Sequence, residues 1–403
     1  MLTSLSFIFL LGLAMAAVCQ RLKLPRIIGM LLTGILLGPY ALNLLDPSIL
    51  AVSADLRHMA LIIILLKAGL SLNLADLKRV GRPAVMMACV PASFEIFGFL
   101  IFAPHILGVT RVEAAVMGAV LSAVSPAVVI PRMVQLMEER YGTDKSIPQM
   151  IMAGASCDDI FVIVLFSTFV TMAQGGAVHG TDLLNVPVSI ILGVALGVGT
   201  GYALSLFFEK AYVCGRYVRN STKVIILLGV SFLLMAVETW LKEIVSISGL
   251  LAVVSTACVL KIRSIPDVSS RLSEKFGKLW IAAEVILFVL VGAAVDIRYT
   301  LEAGLPALAM IAAALVFRSL GTMFCLFGTA LNLKERLFCI IAYLPKATVQ
   351  AAIGSVPLAL GIPCGALVLS VAVLAIVITA PLGALGMDLT YKKFLKKNGS
   401  IPA

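Results

Sequence analysis

The chain has 403 residues, of which 61% are hydrophobic and only 13% charged, and its mean hydropathy is +1.09. That much apolar side chain exceeds what a soluble domain can hide, so the composition excludes a water-soluble enzyme or binding module and places the chain in a lipid bilayer as a single integral membrane unit spanning 1–403. A formal charge of +10 raises the question of a nucleic-acid partner, but the charge is spread through short loops and follows a topological rule, so no nucleic acid is expected.

A helix needs roughly 20 apolar residues to cross a hydrocarbon core of about 30 Å. The sequence predicts an all-α membrane protein of about thirteen such spans: 2–19, 26–45, 57–75, 83–107, 112–136, 149–173, 184–208, 222–240, 244–261, 278–295, 302–328, 336–357 and 362–388. The first has no charged leader and no clean small-residue cleavage site, and is read as a helix. Alternate loops carry twenty-three Lys and Arg, from Arg21 to Lys397, against four in the others (Arg57, Arg111, Lys242, Arg298). The positive-inside rule then puts the N-terminus outside and the C-terminus in the cytoplasm of a cell (inner) membrane protein.

Ionisable residues at membrane depth are costly and persist as pairs or along ion pathways. In chain order, Lys67 lies in "ILLKAGL" of span three and needs a partner that the sequence does not name. Glu95 sits near the middle of span four. Span five reads "LSAVSPAVVIPRM", with Ser122, Ser125, Pro126 and Pro131, and Arg132 near its end is expected to snorkel. Span six holds the adjacent acids Asp158 and Asp159 in "GASCDDIFVIVLF". Glu284, early in span ten, is either an access-funnel acid or an interfacial carboxylate. Arg318 lies midway through span eleven, and span twelve reads "YLPKATVQAAIGSVP", with Pro345, Lys346, Gly354 and Pro357.

Proline removes a backbone donor and clashes with the preceding turn, so spans five and twelve should kink or unwind. Unwound backbone at that depth is tolerated only where it is buried in protein or lines a wet cavity. The two broken spans are seven apart and cross the membrane in opposite directions. Pairing them makes the chain an inverted repeat whose broken helices meet at the midplane, an arrangement that holds ions. Spans four and eleven are also seven apart, which suggests a Glu95–Arg318 ion pair, because a guanidinium needs a permanent carboxylate; brace and gate are equally open roles for it. Lys346 reads either as a partner of Asp158 or Asp159 that is released when a cation binds, or as a countercharge to the buried acids or to carbonyls freed at the break.

Adjacent helical residues point about 100° apart, so one aspartate can face a cavity while the other faces a neighbouring helix. A monovalent cation and a proton would then compete for the same carboxylate. The expected activity is secondary-active antiport of Na⁺ or Li⁺ against H⁺, without a cofactor. K⁺/H⁺ exchange and sodium-coupled symport of an organic anion remain alternatives, although a symporter wants roomy polar side chains where this sequence has "FVIVLF". An intramembrane aspartyl protease needs aspartates from two helices, and paired countercharges speak against an open channel. Eight scattered cysteines show no C-x-x-C pair and read as small buried hydrophobes, and the three histidines are too dispersed for a metal site. The small-residue run "ILGVALGVGTGYALS" over 191–205 is read as a close helix contact.

"LLKAGLSLN", "LSAVSPAVVIPRM", "ASCDDI" and "LPKATVQAAIG", in that order, resemble the monovalent cation:proton antiporter superfamily, and within it the NHA group, exchanger subfamily 9B. The resemblance runs from about residue 20 to 390. It implies an NhaA-type fold with two broken crossing helices and a homodimer working by an elevator-like motion. The ion-binding core would cover approximately 57–173 and 278–357, and the dimerisation scaffold would cover 1–56, 184–261 and 362–388. It implies that Asp158 and Asp159 are the ion and proton site, with Asp159 the ion ligand, and that Glu95, Arg318 and Lys346 compensate charge. Many relatives carry an aspartate before the proline of the first break, where this chain has Ser125. The aspartate pair points to electrogenic relatives and Arg318 to electroneutral ones, which leaves the coupling ratio open.

Overall fold

A computed structural model describes residues 1–22, 24–71, 81–174, 182–213, 218–241, 247–296 and 304–398. Among them there is no strand, only an isolated bridge between Tyr141 and Lys397. The helices are α1 (Leu2–Arg21), α2 (Arg26–Leu37), α3 (Pro47–Ala51), α4 (Ser53–Ser71), α5 (Arg82–Met87), α6 (Val90–Ile106), α7 (Arg111–Ser122), α8 (Pro126–Glu138) and α9 (Ile147–Gln174). They continue with α10 (Asp182–Val213), α11 (Asn220–Leu241), α12 (Gly249–Arg263), α13 (Pro266–Ala293), α14 (Gly304–Cys325), α15 (Leu333–Ala342), α16 (Thr348–Gly354), α17 (Val356–Ala359) and α18 (Gly365–Phe394).

Nine helical stretches among the described residues are long and apolar enough to cross a bilayer, fewer than the thirteen spans expected. The shortfall has local causes. Span two is helical over the 12 residues of α2, and span nine, whose first residues 244–246 lie outside the described ones, is represented by the 15 residues of α12. Span three, α4, is diluted by Asp55, Arg57 and Lys67. Span twelve is cut into α15, α16 and α17.

Backbone contacts divide the chain into two compact units: Met1–Ala54 with Asn73–Val162 and Leu287–Ala403, and Asp55–Leu72 with Ile163–Ile286. In the second unit α10 packs along α12. Gly197 allows it: a Cβ there would run into the backbone of Ala252, and Thr256 Oγ1 donates to the Gly197 carbonyl at 3.1 Å. The small-residue run thus serves a close helix contact within this unit.

In the first unit α14 packs along α6. Phe317 lies 6.3 and 5.8 Å from Phe97 and Phe102, and Phe94 stacks on Phe324 at 6.0 Å. Offset and edge contacts of this kind stabilise beyond area burial, by about 0.5–1.5 kcal/mol per pair. Beside them α7 starts on a capping box, in which Thr110 accepts from the Glu113 amide and Glu113 accepts from the Thr110 amide. It stops at Ser122, because Pro126 cannot continue it, and Ala123 and Ser125 are extended before α8 begins with Pro126 as its first residue.

The second broken helix behaves likewise. α15 begins with its own capping box, Asn332 and Glu335, and ends at Ala342, with Pro345 in the gap before α16. The two gaps meet, because the Ser125 amide donates to the Pro345 carbonyl at 2.8 Å.

On the Lys- and Arg-rich side, the end of α18 is tied to the α8–α9 loop. Gly142 N–H donates to the Lys396 carbonyl, Asn398 N–H to the Arg140 carbonyl, and the Tyr391 hydroxyl to Glu139. Arg132 differs from the expected snorkelling residue: its guanidinium forms a two-pronged pair with Asp388 of α18 at 3.1 and 3.2 Å, since a fork matches a carboxylate better than it matches lone water molecules.

α18 also backs the crossing. Gly383 lies against the Pro345 ring, which occupies the space a Cβ would need. Gly383→Val should therefore force the second break aside and lower stability by about 1–3 kcal/mol, read as a fall in unfolding temperature of detergent-purified protein; an unchanged midpoint would show that the break has room to move.

Candidate functional site

Five charged side chains converge where the broken helices of the first unit meet. Glu95 comes from α6, Asp158 and Asp159 from α9, Arg318 from α14 and Lys346 from the gap before α16. Glu95, Asp158, Arg318 and Lys346 are 0% exposed and Asp159 is 6% exposed. Charges buried this completely survive only when paired and hydrogen-bonded.

Arg318 is the hub. Its Nη1 meets Glu95 Oε2 at 2.9 Å and its Nη2 meets Asp158 Oδ2 at 3.3 Å. Its Nε donates to the Tyr343 carbonyl and its Nη1 also to the Ser122 carbonyl, and the guanidinium lies 5.5 Å from the centre of the Tyr343 ring. The pair expected from spans four and eleven is therefore in place, with Asp158 added to it.

Lys346 stands elsewhere than on the aspartates. Its Nζ meets Glu95 Oε1 at 2.6 Å and donates to the Leu121 carbonyl. Its own amide donates to Thr379 Oγ1 of α18 at 3.0 Å, which anchors the residue behind the break. Of the two readings left by the sequence, countercharge to a buried acid and to a freed carbonyl describes the geometry; the acid is Glu95.

The end of α7 and the unwound residues 123–125 are held from several elements at once. Asp158 Oδ2 accepts from the Val124 amide at 2.7 Å, Arg318 donates to the Ser122 carbonyl, and Gln350 Nε2 donates to the carbonyls of Leu121 and Ala123 at 3.3 and 2.8 Å. Helix ends otherwise leave such groups without partners. Ser122 Oγ donates back to the Ala119 carbonyl, whereas Ser125 contributes backbone only: its buried Oγ has no partner among the described residues. Pro126 and Pro345 create the two gaps, and Pro345 supplies the carbonyl that joins them.

Asp159 takes part in no ion pair among the described residues, and its Oδ1 is buried without a hydrogen bond, as is Asp158 Oδ1. The cluster thus sets three carboxylates against two cations. If all are ionised, one negative charge is left over, and one proton or one monovalent cation cancels it. No group of three or more His, Cys, Asp and Glu that could hold a resident metal occurs among the described residues.

Lys67 and Glu284 belong to the second unit, where Glu284 is the acid that acts electrostatically on Lys67. Gln350, Tyr343 and Thr379 do not stand out from sequence reasoning. Gln350 has a signal, a polar residue one turn after Lys346 in an apolar segment; Tyr343 and Thr379 have none, because their contribution depends on the crossing.

Residues 5–390 match the family model described as "Sodium/hydrogen exchanger, transmembrane". Sodium/hydrogen exchanger 9B2 of Mus musculus is 34% identical over 388 residues, covering 93% of this chain and 69% of that protein. Sodium/hydrogen exchanger 9B1 of Homo sapiens is 32% identical over 367 residues, covering 86% and 67%. The structure of the sodium proton antiporter MjNhaP1 from Methanocaldococcus jannaschii superposes with a TM-score of 0.83 at 20% identity over 98% of both chains, a likeness of fold.

Removing Glu95 strips both buried cations of a partner at once, whereas removing Asp159 breaks no ion pair. Glu95→Gln should therefore cost about 3–5 kcal/mol of stability and Asp159→Asn far less, as measured by thermal unfolding in detergent. Equal losses would contradict the pairing.

Proposed function

This chain belongs to the sodium/hydrogen exchanger family, and on that premise we propose that it is a secondary-active antiporter moving Na⁺ or Li⁺ against H⁺. The observation that carries the reading is the single surplus carboxylate of the buried cluster. A site one negative charge out of balance is neutralised by a proton or by a monovalent cation, and taking one excludes the other. Asp159, with no cation of its own, is the group that exchanges them. Asp158 is held to the unwound turn and to Arg318, so it positions and tunes Asp159 and lends its unpartnered Oδ1 to the cation.

Glu95, Arg318 and Lys346 keep the rest of the cluster neutral while Asp159 changes occupant. Carrying the site across the membrane requires alternating access, and the elevator-like motion of a core covering approximately 57–173 and 278–357 against a scaffold of 1–56, 184–261 and 362–388 provides it. That division follows expected motion and differs from the two compact units, which follow backbone contacts. The protein works as a homodimer in a cell (inner) membrane, N-terminus outside and C-terminus cytoplasmic, in sodium tolerance and pH homeostasis.

Reconstituted proteoliposomes test the exchange. Wild type should dissipate a pH gradient on addition of Na⁺ or Li⁺, and Asp159→Asn should abolish it; retained exchange in the variant would sink the role of Asp159. A response to K⁺ alone, or one that needs an organic anion, would replace the reading by K⁺/H⁺ exchange or symport.

Competition fixes the sign of the pH dependence. A proton on Asp159 blocks the cation, so the apparent KM for Na⁺ should rise as pH falls, approaching about tenfold per pH unit once protons dominate the site. A KM that is flat with pH from 6 to 9 (roughly the range accessible to the folded protein) would show that the two do not share a site.

A further inference from the structure

We propose that Gln350 is a positioning residue of the cation site, setting cation affinity and preference by holding the last residues of α7 and the unwound turn at 123–125. The inference rests on the antiporter reading and goes beyond it, because Gln350 carries no charge and takes no part in the exchange of a proton.

α7 ends at Ser122, which leaves carbonyls at membrane depth without intrahelical donors. The side chains that meet them come in two chemical kinds. Lys346 on the Leu121 carbonyl and Arg318 on the Ser122 carbonyl are charged and divide themselves between backbone and carboxylates. Their grip depends on how the acids are occupied, since every ion or proton that arrives changes the field they sit in. Gln350 is 0% exposed and spans the turn with a neutral amide, its Nε2 bonded to Leu121 and Ala123, on either side of the residue that Arg318 holds. A neutral donor keeps its hold whichever occupant Asp159 has. The same turn carries the Val124 amide that fixes Asp158, so its shape reaches the acid pair directly.

A second observation points the same way. Gln350 Oε1, Thr348 Oγ1 and Ser125 Oγ are all buried without a hydrogen-bond partner among the described residues. Buried polar atoms are normally satisfied, and neutral oxygens are the ligands that hard cations take in place of water. Gln350 thus joins a donor that shapes the break to an acceptor left open in it, and a change at this residue should fall on cation binding before turnover.

The test uses full-length protein in proteoliposomes, with KM and maximal rate measured for Na⁺ and Li⁺ separately. Gln350→Met fills a similar volume with neither donor nor acceptor, and Gln350→Asn keeps the amide but draws it back by one methylene from the two carbonyls. Both should raise the KM for Na⁺ about tenfold, which is about 1.4 kcal/mol of binding, and shift the Na⁺/Li⁺ KM ratio at least about threefold, with maximal rate within about twofold of wild type.

Unchanged KM values and an unchanged ratio in either folded variant would overturn the proposal. So would a fall in maximal rate with KM intact, or failure of both variants to fold, since Gln350 would then be structural only. A wild type without exchange would sink the antiporter reading itself, whereas exchange in wild type with an indifferent Gln350 sinks only this inference.

Discussion

A charge in the middle of a membrane protein has no water to solvate it, so the arrangement around it must supply every counterion and every hydrogen bond. Arg318 is where that constraint is tightest. It is fully buried, cannot discharge itself, and is met by Glu95, Asp158 and two backbone carbonyls. Those carbonyls are available because both helices are broken beside it. The breaks, which would be defects elsewhere, furnish dipoles that stabilise a cation, and the buried cations in turn satisfy carbonyls that the prolines orphaned.

Packing fixes the distances. The α6–α14 contact, with its ladder of Phe94, Phe97, Phe102, Phe317 and Phe324, holds Glu95 and Arg318 at the same level. α18 closes the rear of the second break, through Gly383 against Pro345 and Thr379 on the Lys346 amide. These elements pair every charge of the cluster except that of Asp159, whose Oδ1 is buried without a hydrogen bond among the described residues; in the proposed mechanism this carboxylate alone changes occupant while the frame around it stays fixed.

Much of this is legible in the sequence. Two prolines in apolar runs, an adjacent acid pair in a third run, and a glutamate and an arginine in spans seven apart are local signals, and each leads to residues that meet in the structure. The partner of Lys346 is not legible, because it depends on where the gap points after two helices have crossed; the ammonium lies on Glu95 and Leu121, away from Asp159. Gln350 escapes notice for a related reason, since a neutral amide in an apolar span looks unimportant until the carbonyls it serves are known. Hydropathy does not register breaks in the backbone: it runs smoothly through span twelve, which the structure divides into α15, α16 and α17.

If one buried carboxylate is shared by a proton and a cation, the cation displaces the proton as it binds, and proton release measures this without any need for transport. Purified protein in weakly buffered detergent, titrated with Na⁺ or Li⁺, should acidify the medium by up to about one proton per cation bound at a pH where Asp159 is protonated, and Asp159→Asn should release none. Cation binding that leaves the pH unchanged, or a variant that still releases the proton, would contradict it.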